Sequence, residues 1–410
     1  MSDKPKVLLI VTLDTKEVEA RYLRDCLEQA GVEVIHLDPS IRRTVGGAEI
    51  SPDEVAAAAG TDMEAVRALK HEGKCQAVMI EGAIKCAHKV HDEVGLSGIL
   101  SIGGSMGTTL STAIMRTFPY GLPKVMISTM ASGMTAPFVG TRDITMVNAV
   151  CDISGLNSIT RDVYRNGALA TAGMALGYRP GQAEGKPLVL ISTLGTTERC
   201  SAHVRKRLEA EGYEVMVFHT TGAGGRTMEA ILQERPVAAV VDMSLVEIID
   251  LLNGGLCSAG PERGRTAPAK GIPTIYAPGN VDFIIAGPLE QAEQQFPGKR
   301  YHVHNAALTA VRTQEPELKA FAEHMADVVA GAKGPVSFFV PLKGFSNHDS
   351  PEGHLLDLAM PPLLAEHLHK VMPAGVETRA LDYHINDPEF ADALFEQVLA
   401  YTGHGAARKA

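Results

Sequence analysis

The sequence predicts an α/β protein of two lobes, each built on a mainly parallel β-sheet. The chain has 410 residues, and at roughly 150 residues per domain this length predicts two or three domains. Residues 7–15, Val-Leu-Leu-Ile-Val-Thr-Leu-Asp-Thr, resemble residues 188–196, Leu-Val-Leu-Ile-Ser-Thr-Leu-Gly-Thr. Both segments begin with an aliphatic run without alternation, which is typical of a strand buried on both faces of a parallel sheet.

The similarity persists at a constant offset along the two copies, which favours an internal duplication. The matching pairs are Glu17 and Glu198, Leu27 and Leu208, Gly31 and Gly212, and Val34 and Val215. Each copy is predicted to run strand, loop, helix, glycine, strand, with the glycine at the helix C-cap. Residues 121–127 and 271–277 match at a smaller offset, so the second lobe has the shorter interior. Unrelated doubly wound domains share this order of elements, but the constant register favours common ancestry.

A Gly- and Pro-rich segment, residues 174–187, predicts the border between the lobes. We place the border near residue 183, which gives lobes 1–183 and 184–410. Each is long enough to bury its own core. The cleft between two such lobes is the default place for a ligand.

Composition excludes several classes of protein. The chain is 45% hydrophobic and 21% charged, which is globular rather than disordered or coiled-coil. The net charge of −10 without a basic block argues against nucleic acid and anionic membranes as partners. The six cysteines form no CxxC pair, which disfavours a thiolate zinc site and suits a reducing compartment. No apolar run approaches the roughly 20 residues needed to span a bilayer. We therefore expect a cytoplasmic protein, and on base rates a homodimer.

Three loops of the first lobe follow predicted strands, where open parallel sheets bind ligands. Residues 12–16 offer hydroxyls and a lysine for a phosphate and Asp14 for a metal or ribose, although a helix cap is the favoured interpretation of this loop alone. Residues 103–109 offer successive amides at a helix N-terminus, but they match neither a P-loop nor GxGxxG, and packing explains them equally well. Residues 128–133 form the third loop. Together the loops predict an anionic ligand, preferably a nucleotide, bound by Thr12, Asp14, Thr15, Lys16, Gly103, Gly104, Ser105, Gly107, Thr108, Ser128, Thr129, Ser132 and Gly133.

The second lobe has its own polar loops. Residues 219–226 combine a histidine, glycines and an arginine, whose guanidinium suits a carboxylate or phosphate. The pair His302 and His304 is a weak metal signal without a third ligand, and the metal content stays open. Asp387 and Pro388 are explained as the N-cap and first residue of a helix. The predicted catalytic residues are His219, His304, Lys343 and His384. The predicted substrate-binding residues are Gly222, Gly224, Gly225, Arg226, Glu247, Arg312, Ser346 and Asp349.

The chain resembles the Tm-one-like ATP-binding family of the tomato mosaic virus resistance protein, most of whose members are bacterial and uncharacterised. The resemblance covers essentially the whole chain. It rests on motifs in residues 12–16, 103–108, 123–133, 152–157, 221–225, 304–305, 343–344 and 384–390. It implies two Rossmann-like lobes with ATP bound in the first, in the three loops chosen above, and we expect Mg²⁺ with the ATP. Residues 243–247 and 353–360 depart from the family pattern, which puts the second-lobe ligand in doubt.

Three hypotheses for the function follow, in this order. The first is an enzyme that uses ATP on a small carboxylate or phosphate-bearing metabolite held by the second lobe. The second is a non-catalytic, nucleotide-responsive protein-binding module. The third is a metal-dependent lyase or hydrolase built on His304, Asp349 and His384. Of the 15 histidines, His219, His304, His348 and His384 lie in strand-end loops of the second lobe, so we expect the chemistry there.

Overall fold

A computed structural model describes residues 4–181 and 185–403. The chain divides into two compact units, residues 1–182 and 183–410, called unit 1 and unit 2 below. The predicted border at residue 183 lies outside the described residues and stays a prediction. In the part of the chain that the structure describes, no helix is long and apolar enough to cross a membrane.

Unit 1 is built on a five-stranded parallel sheet of order β2-β1-β3-β4-β5. Its elements are β1 (Lys6–Ile10), α1 (Leu13–Gln29), β2 (Glu33–Leu37), α2 (Pro52–Ala58), α3 (Met63–Ala68), α4 (Glu72–Val94), β3 (Leu96–Gly103), α5 (Ser105–Met115), β4 (Lys124–Ser128), α6 (Ala136–Val139), β5 (Thr145–Asn148) and α7 (Ser158–Gly177).

Unit 2 is built on a six-stranded parallel sheet of order β14-β13-β9-β8-β6-β7 and a three-stranded antiparallel sheet of order β10-β12-β11. Its elements are β6 (Leu188–Thr193), α8 (Glu198–Ala210), β7 (Glu214–His219), α9 (Ala223–Glu234), β8 (Ala239–Asp242), α10 (Val246–Asn253), α11 (Thr266–Lys270), β9 (Thr274–Tyr276), β10 (Phe283–Ala286), α12 (Leu289–Gln295), β11 (Tyr301–Val303), β12 (Thr309–Arg312), α13 (Glu315–Val329), β13 (Val336–Pro341), α14 (Met360–Val371), β14 (Glu377–Leu381) and α15 (Pro388–Thr402). Short 3-10 helices span Gly195–Thr197 and Asn347–Asp349.

The two parallel sheets share one strand order, as the internal repeat predicts. When the larger sheet is followed from β7, the sequence of strands repeats that of unit 1 followed from β2, with β14 added at the far edge. The strands also keep the offsets found in the sequence, since Glu33 of β2 corresponds to Glu214 of β7, and Lys124 of β4 to Thr274 of β9. The predicted fold class, two α/β lobes with mainly parallel sheets, is therefore confirmed.

Both faces of each parallel sheet are covered by apolar side chains. In β1, Leu8 and Ile10 join one buried cluster while Val7 and Leu9 join the other. In unit 2, Ile275 of β9 and Phe339 of β13 join one buried cluster, whereas their neighbours Tyr276 and Phe338 join another. Burial on both faces explains why these strands lack the alternation of a half-exposed strand.

The units differ most between their second and third strands. Unit 1 has residues 38–95 there, including α2, α3 and α4, whereas unit 2 has only residues 220–238, including α9. The first part of the longer connection, residues 38–50, leaves β2 and returns to the outer edge of its carboxyl end. Asp38 donates its backbone N–H to the Ile50 carbonyl at 3.0 Å, and Ile50 donates to the His36 carbonyl at 3.0 Å. This segment therefore covers the carboxyl end of an edge whose counterpart on β7 has no strand partner among the described residues.

Candidate functional site

A cavity of about 290 Å³ lies in unit 1 at the carboxyl ends of β1 and β3. Eight residues predicted to bind a nucleotide line it: Thr12, Asp14, Thr15, Lys16, Gly103, Gly104, Ser105 and Gly107. Two loops that are far apart in the sequence thus meet, because β1 and β3 are neighbours in the sheet. The lining residues that were not predicted are Pro39, Ile41, Arg42, Glu72, Gln76, Ile102, Met106 and Leu110.

The N-terminus of α5 opens into this cavity. Its N-cap is Gly104, so no side chain caps the helix. Within the described residues, no hydrogen bond uses the backbone N–H groups of Ser105, Met106 or Gly107. A Cβ on Gly103 would lie 2.8 Å from Cα of Gly107, so glycine is required for the helix to start this close to the strand. Uncapped amides at a helix N-terminus attract anions.

The N-terminus of α1 is arranged differently, because its amides are already used. The buried carboxylate of Asp38 accepts the Leu13 N–H at 3.0 Å, and Ser40 Oγ accepts the Asp14 N–H at 3.1 Å. Burial raises the pKa of Asp38. Thr12 is the N-cap residue by position, but its side chain makes no capping bond. The α1 loop therefore offers the cavity side chains rather than amides, namely Thr12, Thr15 and Lys16.

Lys16 links this loop to the segment that follows β5. Its ammonium group donates to the carbonyl of Ile153. The backbone of Lys16 leaves the helical region, with φ −132° and ψ 31°, so the first turn of α1 is kinked at this residue. The side chain is half-buried and lines the cavity, so it brings one positive charge to this site.

Both signs of charge meet on the far wall of the cavity. Arg42 forms an ion pair with Glu72 at 2.6 Å and donates its backbone N–H to Asp14 Oδ2 at 2.9 Å. Gln76 donates from Nε2 to the Met106 carbonyl at 2.6 Å. The Arg42 guanidinium is 65% exposed, so solvent screens its pairing with Glu72 and little free energy opposes an exchange of partners.

Five predicted nucleotide-binding residues do not line this cavity. Thr108 and Ser128 are buried, and their hydroxyls are 2.6 Å apart, so they join the start of α5 to the end of β4. Thr129 is half-buried, and Ser132 and Gly133 are exposed. Contact of these five residues with a ligand stays a prediction.

One loop of the cavity that was not predicted could have been identified from its position after a strand. Residues 38–42 follow β2 directly, so the rule that ligands bind beyond strand ends would have selected Asp38, Ser40 and Arg42. Glu72 and Gln76 had no such signal, because they lie one turn apart on α4 and reach the cavity only through packing.

In unit 2, the glycine-rich loop before α9 is occupied by a side chain of the protein. Oε1 of the buried Glu247 accepts the backbone N–H groups of Gly222 at 2.6 Å and Gly225 at 3.0 Å. A Cβ on Gly225 would lie 2.0 Å from Glu247 Oε2, so only glycine leaves room for this carboxylate. Binding of a substrate by Gly222, Gly224 and Gly225 stays a prediction, but two of these amides already have an anionic partner.

The same carboxylate belongs to a buried ionic network. Arg263 is fully buried, and it donates from Nε to Glu247 Oε2 at 2.7 Å and from Nη1 and Nη2 to Asp242 at 2.5 and 2.8 Å. Glu229 approaches the same guanidinium at 3.9 Å. Burial lowers the pKa of Arg263 but the surrounding carboxylates outweigh it, so the pKa is raised well above the usual value. The network therefore surrounds one buried guanidinium with three carboxylates of the protein itself.

Arg312, Ser346 and Asp349 also lie in the interior. Arg312 Nη1 donates to the Asp282 carbonyl oxygen at 3.0 Å, and Ser346 Oγ donates to the Asp282 carboxylate at 2.7 Å. Asp349 accepts backbone N–H groups of Phe345 and Asp357 and lies 3.3 Å from Arg312 Nη2. Burial and the nearby Asp349 raise the pKa of Asp282. These three predicted substrate-binding residues brace the loop after β13, and their direct contact with a substrate stays a prediction.

Lys343 and His384 lie on neighbouring loops. Lys343 donates its backbone N–H to the Tyr383 carbonyl at 3.1 Å, and its exposed ammonium pairs with Asp382 at 3.0 Å. His384 Nδ1 accepts the Asn386 N–H at 3.1 Å, so Nε2 carries the proton and donates to the Ser346 carbonyl at 3.0 Å. Both ring nitrogens of His384 are therefore held by the backbone.

The other two predicted catalytic residues have no hydrogen bond or ring contact with Lys343 or His384 among the described residues. His219 and His304 are exposed, and in the described residues no hydrogen bond or ring contact joins either to Lys343 or His384. Arg226 is exposed and donates to the Ser258 carbonyl at 3.1 Å. No group of three or more His, Cys, Asp or Glu side chains in the described ranges could hold a metal ion, so the proposed metal set of His304, Asp349 and His384 is not assembled.

His302 contributes to a different cluster. Its Nδ1 lies 2.8 Å from Nδ1 of His354, and its ring centroid lies 4.2 Å from that of His348. Burial, and then the neighbouring histidines, lower the pKa of His348 to about 4. This ring therefore stays neutral in the folded protein at ordinary pH.

Comparison with known proteins identifies the family. The model described as "Uncharacterised protein family (UPF0261) N-terminal domain" matches residues 5–180, and the corresponding C-terminal domain model matches residues 186–402. A UPF0261 protein of Clostridium tetani is 37% identical over 403 residues, covering 96% of this chain and 98% of that protein. The ToMV resistance protein Tm-1 of Solanum lycopersicum is 32% identical over 421 residues, covering 97% of this chain but 56% of that protein.

The solved structures that resemble this chain are too distant to indicate its function. The pyrethroid hydrolase PytH is 15% identical with a TM-score of 0.29, covering 54% of this chain and 99% of that structure, and so distant a likeness carries no functional argument. The resemblance found in the motifs is confirmed by the two domain models and by relatives that align over almost the whole chain. The protein belongs to the UPF0261 family, which includes relatives from bacteria and the tomato Tm-1 proteins.

Proposed function

We propose that unit 1 binds ATP, with Mg²⁺, in the cavity at the carboxyl ends of β1 and β3. The uncapped N-terminus of α5 carries the proposal, because its free amides would receive a phosphate group. Lys16 adds a positive charge on the same cavity wall. The Asp14 carboxylate and the hydroxyls of Thr12 and Thr15 are oxygen ligands of the kind that Mg²⁺ prefers.

The apolar part of the cavity suits the rest of a nucleotide. Pro39, Ile41 and Met106 provide surface that a base or ribose would cover, whereas a free phosphate would leave it in water. Arg42 is available to exchange its exposed partner Glu72 for a phosphate oxygen. These features favour a nucleotide over inorganic phosphate.

The substitution Ser105→Asp tests the proposal. An aspartate in the first turn of α5 favours the helix by about 0.3–1 kcal/mol, but it places a negative charge where the phosphate would bind. We expect unchanged or higher thermal stability together with a loss of ATP affinity of about tenfold or more in calorimetric titration with Mg²⁺. Thr109→Asp is the matched control, because Thr109 is exposed one turn further along α5 and does not line the cavity. Equal ATP affinity in both variants and the native protein would count against this site.

We further propose that the protein uses ATP on a small carboxylate- or phosphate-bearing metabolite bound by unit 2. The supporting observation is that Lys343 and Arg226 place exposed cations near strand ends of the six-stranded sheet. ATP consumption should then rise on addition of a suitable acid, and Lys343→Ala should lower that increase without changing ATP affinity. ATP that stays intact with every acid tried would favour the alternative, a non-catalytic nucleotide-responsive binding protein.

We expect the working form to be a homodimer, the commonest assembly among soluble homo-oligomers. Sedimentation velocity over a range of protein concentrations measures this directly, and a monomer at all concentrations would contradict it.

A further inference from the structure

The outer edge of β7 has free backbone groups. Among the described residues β7 pairs only with β6. Glu214 donates its N–H to the Pro187 carbonyl at 3.0 Å, and Thr220 donates to the Thr193 carbonyl at 2.9 Å, so even-numbered residues direct their N–H and C=O groups to β6. The backbone groups of Val215 and Val217 consequently point away from the sheet. Such a row of unpaired groups is a template for another strand.

The other edges of the two parallel sheets are protected. Residues 38–50 return to cover the carboxyl end of β2 through Ile50, as described above. β14 carries Glu377 and Arg379, which are joined at 2.6 Å and place charges along that edge. β5 has only four residues, and its ends, Thr145 and Asn148, are polar and exposed. Short strands, charges and covering segments are the usual protections of an edge.

β7 has none of these protections. It is six residues long, and its centre is the apolar run Val215-Met-Val-Phe218. All four of these side chains are partly accessible, and Val217 is 41% exposed. Its only charged side chain, Glu214, lies at the first position. An apolar edge of this length is expected to be covered by another strand in the working protein.

We propose that β7 pairs antiparallel with β7 of a second copy of this chain, about a two-fold axis at Val217. Because only odd-numbered residues direct backbone groups outward, Val217 lies opposite the partner's Val217, and Val215 lies opposite the partner's His219. Met216 then lies opposite the partner's Phe218, and Glu214 opposite the partner's Thr220. Apolar side chains meet apolar ones around the axis, and no like charges face each other.

The register centred on the neighbouring residue Met216 pairs the side chains less favourably. A shift of the axis to Met216 places Glu214 opposite the partner's Phe218. The strand is thus complementary to itself in the Val217-centred register, which favours a second copy over an unrelated extended peptide. Pairing in this way joins the two six-stranded sheets into one. The inference rests on the homodimer proposed above and adds its interface.

The substitution Val217→Pro tests whether the outer edge of β7 forms the dimer interface. The nitrogen of Val217 points away from β6, so proline removes an outward N–H and places its ring on the edge without removing a β6–β7 hydrogen bond. We expect the native protein to sediment as a dimer and V217P as a monomer that retains its thermal transition. Val217→Thr is the control, since it keeps the N–H and the β-branched shape, and it should remain a dimer.

A charge pair keeps the test decisive if V217P fails to fold. Val217→Lys and Val217→Glu each place like charges opposite each other at the axis, so each variant alone should be monomeric. A mixture of the two should form a heterodimer, detected by native mass spectrometry. Dimers of V217K and V217E as stable as the native dimer, or a mixture that fails to associate, would overturn the β7 interface and leave the homodimer itself standing. A monomeric native protein would remove both.

Discussion

Both units place a glycine-rich loop and a helix N-terminus beyond a strand, and they differ in what meets the backbone amides. In unit 1 the amides at the start of α5 face a cavity. In unit 2 the amides of Gly222 and Gly225 meet Glu247, which is itself paired with the buried Arg263. One glycine loop therefore has amides that face a cavity, and the other has an anionic side chain of the protein on its amides. The presence of such a loop in a sequence indicates an anion but not whether the anion is a ligand or a side chain.

Removal of the internal anion should have the largest effect. Glu247→Ala leaves the buried amides of Gly222 and Gly225 and the Nε of Arg263 without an acceptor, while Asp242 still pairs with the other guanidinium nitrogens. We expect a loss of about 3–5 kcal/mol in the free energy of unfolding. Glu247→Gln keeps an acceptor oxygen and should lose less. Chemical denaturation measures both variants.

The same variant, E247A, tests whether the amides of the unit 2 loop can bind an anion from solution. If Glu247 acts as an internal ligand, formate or acetate should raise the melting temperature of E247A more than that of the native protein, because the anion would occupy the vacated amides. An equal response of both proteins would show that the loop of unit 2 is not an anion site of this kind.

A middle-sized effect is expected at the loop of unit 1. A Cβ at residue 103 would lie 2.8 Å from Gly107 Cα, whereas a Cβ at residue 104 would meet nothing closer than Thr129 Oγ1 at 3.9 Å. Gly103→Ala should cost about 1–3 kcal/mol through displaced backbone and weaken ATP binding. Gly104→Ala should change both quantities little. Equal effects of the two substitutions in denaturation and titration would contradict the close approach of α5 to β3.

The smallest effect concerns pH and the histidines of unit 2. The pKa of His348 is lowered from 6.5 to about 4, so between these two values the unfolded chain takes up a proton that the folded chain does not. Stability should therefore fall as the pH falls through this range, by about 1 kcal/mol from His348 after solvent screening of a half-buried ring. His348→Gln should reduce this slope in denaturation experiments at several pH values. An unchanged slope would assign the pH dependence to other groups.

The sequence allowed the strands and part of the cavity to be predicted, because both depend on short-range patterns. The repeat located β1 with β6 and β4 with β9, and loops after strands supplied eight residues of the cavity. Asp387 is the N-cap residue of α15, as predicted, but its carboxylate accepts the His384 N–H instead of capping the helix.

Contacts across the fold could not be predicted in this way. Glu247 reaches Gly222 and Gly225 from a different helix, α10, and nothing near it in the sequence marks it as the partner of these amides. Arg312 and Asp349 were predicted as substrate contacts from their residue types, and nothing in the sequence showed that each is buried against the other. Gln76 lies on a helix whose contact with the cavity depends on how α4 packs.

The long connection between β2 and β3 joins two properties in one stretch of chain. Residues 38–50 cover the carboxyl end of the β2 edge, and Pro39, Ile41 and Arg42 from the same stretch form a wall of the cavity. In evolutionary terms, the gain or loss of this stretch in one copy after duplication would change ligand capacity and self-association together. The copy with the stretch has a cavity wall and a covered strand end, whereas in the described part of the other copy β7 pairs only with β6. If unit 1 binds the ligand and unit 2 forms the dimer, as proposed, a single change in length would separate the two roles.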